Sequence, residues 1–87
     1  MQIRFSPDFD KQYNQRLTHP QQIKVLDTLE LVQDEPFHKD LRNHSLTDKR
    51  VGHNSITVEA DLRLHFRMLD SNTAYFVAVG NHNQLYR

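Results

Sequence analysis

The chain has no cysteine, only two glycines among 87 residues, no net charge and no long apolar run, and each shortage removes a class of function. Without cysteine there are no disulfides and no thiolate metal sites. With glycine only at positions 52 and 80 there is no Gly-rich loop to cradle a nucleotide, and no nucleophile elbow is present. No apolar stretch approaches the roughly 18 residues of a membrane span, and the amino terminus lacks a signal-peptide pattern. A soluble intracellular protein with no membrane partner is expected. Eleven basic residues offset eleven acidic ones, so the whole molecule is not an obvious polyanion binder. The balance is not local. Residues 1–37 carry four basic and six acidic side chains, whereas residues 38–87 carry seven basic, five acidic and five of the six histidines. An anion-binding surface is therefore expected from the second half. The histidines raise the question of a metal, but no two stand at the helical i, i+4 spacing or a close strand spacing, and none is expected.

What is present is periodicity. From Ser55 to Met68 apolar residues (Ile56, Val58, Ala60, Leu62, Leu64, Phe66, Met68) alternate with polar ones (Ser55, Thr57, Glu59, Asp61, Arg63, His65, Arg67), the period of a strand with one dry and one wet face. The run is too long for one strand of roughly 5–6 residues. A fold-back is expected at Glu59, Ala60 and Asp61, as a three-residue loop that keeps parity, so that Val58 faces Leu62, Ile56 faces Leu64, Thr57 faces Arg63 and Ser55 faces His65. Asp70-Ser71-Asn72 marks a turn, and Thr73 to Val79 a further strand.

Upstream, Gln2 to Phe5 is a short candidate strand. Ser6, Pro7 and Asp8 signal a helix start, with Phe9, Tyr13 and Leu17 as its buried stripe. Thr18-His19-Pro20 begins a second helix. Its apolar face is Ile23, Leu26, Leu29 and Val32, supported by Val25 and Leu31, and it ends near Asp34-Glu35-Pro36. Both helices are expected to cover the dry face of the sheet. From Phe37 to Gly52 periodicity is lost, and the segment reads as a loop pinned at Phe37, Leu41 and Leu46. No repeat, low-complexity tract or linker divides the chain, so residues 1–87 are expected to form one domain.

The wet face carries Asp61 and Arg63, with Glu59 and His65 beside them, approached by a loop bearing His44 and a tail bearing His82 and Tyr86. Such a set supplies a base, an acid, a cation for phosphate and an aromatic platform, which are the needs of metal-free RNA cleavage. The same residues have structural uses. Asp61 could cap the hairpin turn, Arg63 could pair with Glu59 or Asp61, His82 could pin the tail and Tyr86 could pack. His53 and His65 are read as solvated.

The order of strand, two helices, loop and three-stranded meander resembles the RelE superfamily of bacterial toxins. The ending Gly80-Asn81-His82-Asn83-Gln84-Leu85-Tyr86 is similar to that of its YafQ branch. His44-Ser45-Leu46 resembles the His-x-Leu of that branch's loop, Glu59-Ala60-Asp61 its Glu-x-Asp at the hairpin, and Asp61 to Leu64 the strand on which RelE places an active-site arginine. The resemblance implies an α+β, RelE-like fold with a short N-terminal strand and two helices packed on an antiparallel sheet of three to four further strands. It also implies a ribosome-dependent mRNA endonuclease, needing no metal or other cofactor and held inactive by a cognate antitoxin.

In such an enzyme the ribose 2′-OH attacks the adjacent phosphate. Residue by residue, His82 matches the general acid, Asp61 and His44 the groups that accept or orient the 2′-OH proton, Arg63 the cation opposite the transition state, and Tyr86 the terminal aromatic. Lys49, Arg50 and Arg67 are further candidates for RNA phosphate. The chain departs from the pattern with Thr57 where the branch can carry histidine, Leu62 where it has tryptophan, Asn54 where some relatives have arginine, and a neutral total charge. Two other readings are a ParE-like inhibitor of DNA gyrase and a non-catalytic module that only binds antitoxin.

Overall fold

Ser6 and Thr18 start two helices, as the cap residues predict. In the computed structural model, which describes residues 1–86 (Asp48 by its backbone only), strand β1 (Gln2–Phe5) leads into helix α1 (Pro7–Arg16) and then helix α2 (His19–Asp34). The Ser6 hydroxyl accepts the Phe9 N–H at 3.0 Å, and Pro7 sits where its missing N–H costs nothing. Thr18 and Gln21 form a reciprocal capping box, with bonds of 3.3 and 2.9 Å. Glu35 closes the last turn of α2 by donating to the Leu31 carbonyl, ahead of Pro36. Because the Ser6 hydroxyl also donates to the Val77 carbonyl at 3.4 Å, Ser6→Ala is expected to lower the unfolding free energy by about 1–2 kcal/mol, measured by urea denaturation.

The face of α2 differs from the expected one. Val25, Leu29 and Val32 are buried, while Ile23 and Leu26 remain 47% and 55% exposed. Apolar residues occur around most of the circumference of this helix, so period alone could not choose the arc that meets the sheet. Leu29 and Val32 belong to both candidate arcs, and packing selected the one that includes Val25.

Strands β2 (His44–Ser45), β3 (Asn54–Glu59), β4 (Leu62–Asp70) and β5 (Thr73–Gly80) join β1 in a five-stranded sheet of order β1-β5-β4-β3-β2. β1 runs parallel to β5, and the other neighbours are antiparallel. Ser55 faces His65, Ile56 faces Leu64 and Thr57 faces Arg63, as parity requires. The hairpin itself is tighter than expected: Glu59, not Val58, stands opposite Leu62, and a bulge at Val58 takes up the extra residue so that Ala60 and Asp61 alone make the turn.

Helices and sheet enclose one apolar cluster that includes Phe9, Val25, Leu29, Val32, Ile56, Leu64, Phe66 and Phe76. Phe76 is its centre, with ring contacts to Phe9 at 6.0 Å and Phe66 at 5.1 Å. β1 stops opposite Phe76, which leaves the outer edge of β5 beyond that residue without a strand. Side chains of α1 take the strand's place: Gln12 accepts the Val79 N–H and Arg16 donates to the Val79 carbonyl, each at 3.0 Å.

The segment from 37 to 53 is held by two apolar anchors rather than three. Leu41 and Leu46 are buried, but Phe37 is 80% exposed. Polar bonds do the remaining work. Asn43 donates to the Pro36 carbonyl at 3.0 Å and accepts from Asn54 at 2.7 Å, while Arg42 turns the chain through the left-handed region. Short 3₁₀ turns at Lys39–Leu41 and Asp48–Arg50 flank β2.

Candidate functional site

The chain ends by folding back onto the polar face of the sheet. Helix α3 (His82–Leu85) is only one turn long, so its ends must be satisfied from outside. Asn81 and Gln84 cap it reciprocally at 2.9 Å, and the Asp61 carboxylate accepts the His82 backbone N–H at 3.3 Å. The hairpin turn is thereby tied to the tail. Gly80 allows this approach, because a Cβ there would lie 2.7 Å from Gln84 Oε1 and 3.0 Å from an Arg16 nitrogen. Gly80→Ala is expected to displace Gln84 and weaken the cap by about 1 kcal/mol. The readout is faster amide exchange at Leu85 and Tyr86, whose N–H groups donate to the Asn81 and His82 carbonyls.

On this tail His82 is exposed and its ring packs at a tilt of 34° against Tyr86 one turn later, with centroids 4.6 Å apart. Tyr86 in turn meets His65 of β4 edge-on, at 5.4 Å and 67°. Contacts of this kind add about 0.5–1.5 kcal/mol beyond burial. Tyr86 also forms one wall of an open groove of about 740 Å³, whose opposite side is the loop carrying His44, Ser45, Thr47, Lys49, Arg50 and His53. His44 donates from Nδ1 to the Arg42 carbonyl at 2.8 Å, since a carbonyl can only accept. Its Nε2 is then the nitrogen left to take a proton.

Of the residues singled out in the sequence, the structure brings His44, Lys49, Arg50 and Tyr86 to the groove, with His82 and Asp61 joined to Tyr86's side of it. It does not bring Arg63 or Arg67 there. Arg63 donates from Nη1 to the Glu59 carbonyl at 2.7 Å and the Leu62 carbonyl at 3.3 Å, clasping the hairpin backbone. The Glu59 carboxylate pairs instead with Lys24 at 3.0 Å, a largely exposed contact worth at most about 1 kcal/mol. Arg67 lies over the Tyr75 ring at 5.2 Å.

Two histidines read as solvated are not. His53 is half-buried, lines the groove and leaves its Nδ1 without a hydrogen-bond partner among the described residues. His65 is completely buried (0% exposed), and neither ring nitrogen has a partner among those residues; the Ser55 hydroxyl opposite it is buried and unpartnered too. Burial, followed by the positive charges of Arg50, His53 and His44, lowers the His65 pKa to about 4. The ring is therefore neutral at pH 7. Strand alternation recorded that position 65 is polar, but not that a tail seventeen residues later would cover it. Cross-strand pairing places His44, Ser55, His65 and Ala78 in one row across four strands. Among the described residues no group of three His, Cys, Asp or Glu is arranged to hold a metal ion, and no helix is long and apolar enough to cross a membrane.

The helices and five-stranded mixed sheet match the fold of YoeB/ParE and YafQ toxins. The sequence model for the bacterial toxin of type II toxin-antitoxin systems, YafQ, matches residues 1–87, and the chain belongs to that family. Escherichia coli YafQ from strain BL21(DE3) is similar in structure, with a TM-score of 0.73 at 23% identity over 98% of this chain and 97% of that one. YafQ in the E. coli DinJ-YafQ complex gives 0.71 at 24% identity, covering 98% and 97%. A YoeB/ParE toxin from Agrobacterium tumefaciens gives 0.76 at 18% identity, covering 94% and 99%. Among curated proteins none matches the sequence.

Proposed function

We propose that this toxin is a metal-independent endoribonuclease that cuts message on the ribosome. The observation that carries the reading is the assembly around Tyr86, which lines the groove containing His44 and packs against the ring of His82, itself fastened to Asp61. Two imidazoles near such a groove can serve as base and acid of a proton-transfer reaction. The 2′ oxygen attacks the adjacent phosphorus, the bond to the 5′ oxygen breaks, and the products are a 2′,3′-cyclic phosphate and a 5′-OH. His44 Nε2 takes the 2′-OH proton, and His82 gives a proton to the departing 5′ oxygen. Asp61 holds the acid by its backbone. Lys49 and Arg50 supply positive charge for phosphate, a base can stack on Tyr86, and Arg63 fixes the hairpin on which Asp61 sits.

With zero net charge, the chain has little long-range attraction for RNA, which fits an enzyme positioned by the ribosome. The type II assignment and the DinJ-YafQ complex of a structural neighbour support a cognate antitoxin protein as its partner, tested by co-expression of the native operon and co-purification. The nuclease reading is tested with a translated message, purified toxin, and ribosomes present or omitted. Cuts that need ribosomes and leave cyclic-phosphate ends are expected. A folded toxin that leaves the message whole but inhibits gyrase would replace this reading with the ParE-like one.

A further inference from the structure

His65 is an expensive choice for its position. It lies in the middle of the sheet, flanked by Ser55 on β3 and Ala78 on β5, and both of its ring nitrogens are buried without partners among the described residues. A leucine of similar volume would bring no side-chain polar atom that needs a partner. The groups whose charges reach the ring, Arg50, His53 and His44, are all basic and give a protonated imidazole no counter-ion. What the ring does have is Tyr86, standing edge-on above it at 5.4 Å, and Tyr86 carries the His82 ring at 4.6 Å. Three rings thus run in series from the sheet to the exposed end of the tail. The helix that begins at His82 and is capped by Tyr86 is a single turn, too short to hold a side chain by its own stability.

We propose that His65 is a positioning residue: its buried ring is the floor against which Tyr86 is set, and through Tyr86 it fixes the orientation of His82. The catalytic consequence rests on the reading of His82 as the acid of RNA cleavage, but the positional one does not. An aromatic ring at position 65 is what Tyr86 requires. A branched aliphatic side chain fills the volume and offers no edge-to-face geometry.

The test compares wild type with His65→Leu, His65→Phe, Tyr86→Leu and the His65→Leu/Tyr86→Leu double variant in the full-length toxin. The His82 ring is followed by NMR, and cleavage is measured in parallel. His65→Leu is expected to melt at or above the wild-type temperature at neutral pH. Its His82 ring signal should nevertheless move toward that of a free imidazole as the Tyr86 ring current is lost, and kcat should fall by about ten- to a hundredfold at unchanged KM. His65→Phe should keep the His82 signal. The double variant should shift His82 no further than Tyr86→Leu alone. An unmoved His82 signal in His65→Leu, or additive shifts in the double variant, would overturn the proposal even if wild type cuts RNA as expected. Equally, a wild type that cuts nothing leaves the NMR comparison decisive. If the leucine chain does not fold, Tyr86→Leu settles the point from the other side, because coupling is reciprocal: His65 should then titrate closer to an ordinary imidazole, and a pKa unchanged from wild type would sink the idea.

Discussion

Replacing His82 with alanine is expected to slow cleavage of a translated message by about two to four orders of magnitude, the usual contribution of one positioned acid or base. The loss should appear in kcat with KM little altered, since a group that protonates the leaving oxygen acts in the transition state rather than in binding. Stability should fall by no more than the worth of the ring contact with Tyr86, about 0.5–1.5 kcal/mol. The His82 ring is exposed, and the bond that fastens this residue to Asp61 is made by its backbone, which the substitution preserves. Asp61→Ala is the complementary variant. It keeps the imidazole but removes the acceptor of the His82 N–H, so its defect should be smaller and accompanied by faster amide exchange in the tail. A His82→Ala enzyme as fast as wild type would remove His82 from the chemistry while leaving the nuclease reading intact.

Acidification should unfold this protein earlier than its carboxylates alone would predict. Folded His65 resists protonation down to about pH 4, whereas the unfolded chain takes up that proton near 6.5. Between those values the unfolded state binds more protons, so stability is full above pH 6.5 and falls as the pH drops toward 4. The shift corresponds to about 3 kcal/mol, a large part of the stability of a domain this size. The urea midpoint should fall by roughly 1–3 M between pH 7 and pH 4. The side chain is fully buried, so solvent does not screen the effect away. His65→Leu should remove most of this slope, and a slope unchanged in that variant would assign it to another group. Asp70 does not confuse the measurement. Its carboxyl is held below the usual range by the Asn72 N–H and then by Thr73, so its contribution is lost only at pH values beneath the His65 window.

Legibility in the sequence followed the range of the interaction. Ser6, Thr18, Pro7 and Pro36 act within one turn of themselves, and the helix ends fell where those residues predict. The pairing of Ser55, Ile56 and Thr57 with His65, Leu64 and Arg63 followed from parity across one short turn. Two details of similar locality were still missed. The bulge at Val58 shortened the turn, because a three-residue loop and a bulge with a two-residue loop preserve the same alternation. The apolar circumference of α2 allowed more than one buried arc, and the sheet decided between them.

The site divides in the same way. His44, Asp61, His82 and Tyr86 stood out from short motifs, yet nothing local says that an Asp61 oxygen would meet the His82 backbone or that Tyr86 would wall a groove opposite His44. Arg63 and Arg67 had the right chemistry and were turned to the hairpin backbone and the Tyr75 ring. By itself the sequence determined β1, the two long helices with their N-caps, the pairing of Ser55, Ile56 and Thr57 with His65, Leu64 and Arg63, and the residue types available for proton transfer, because each depends on near neighbours or on a strict period; β2 and α3 were not legible in it. Only the tertiary structure decided that the polar face of the central strands is covered and that His65 lies beneath Tyr86 without a hydrogen-bond partner among the described residues. Alternation reports which face of a strand is polar; whether water reaches that face depends on where the rest of the chain returns.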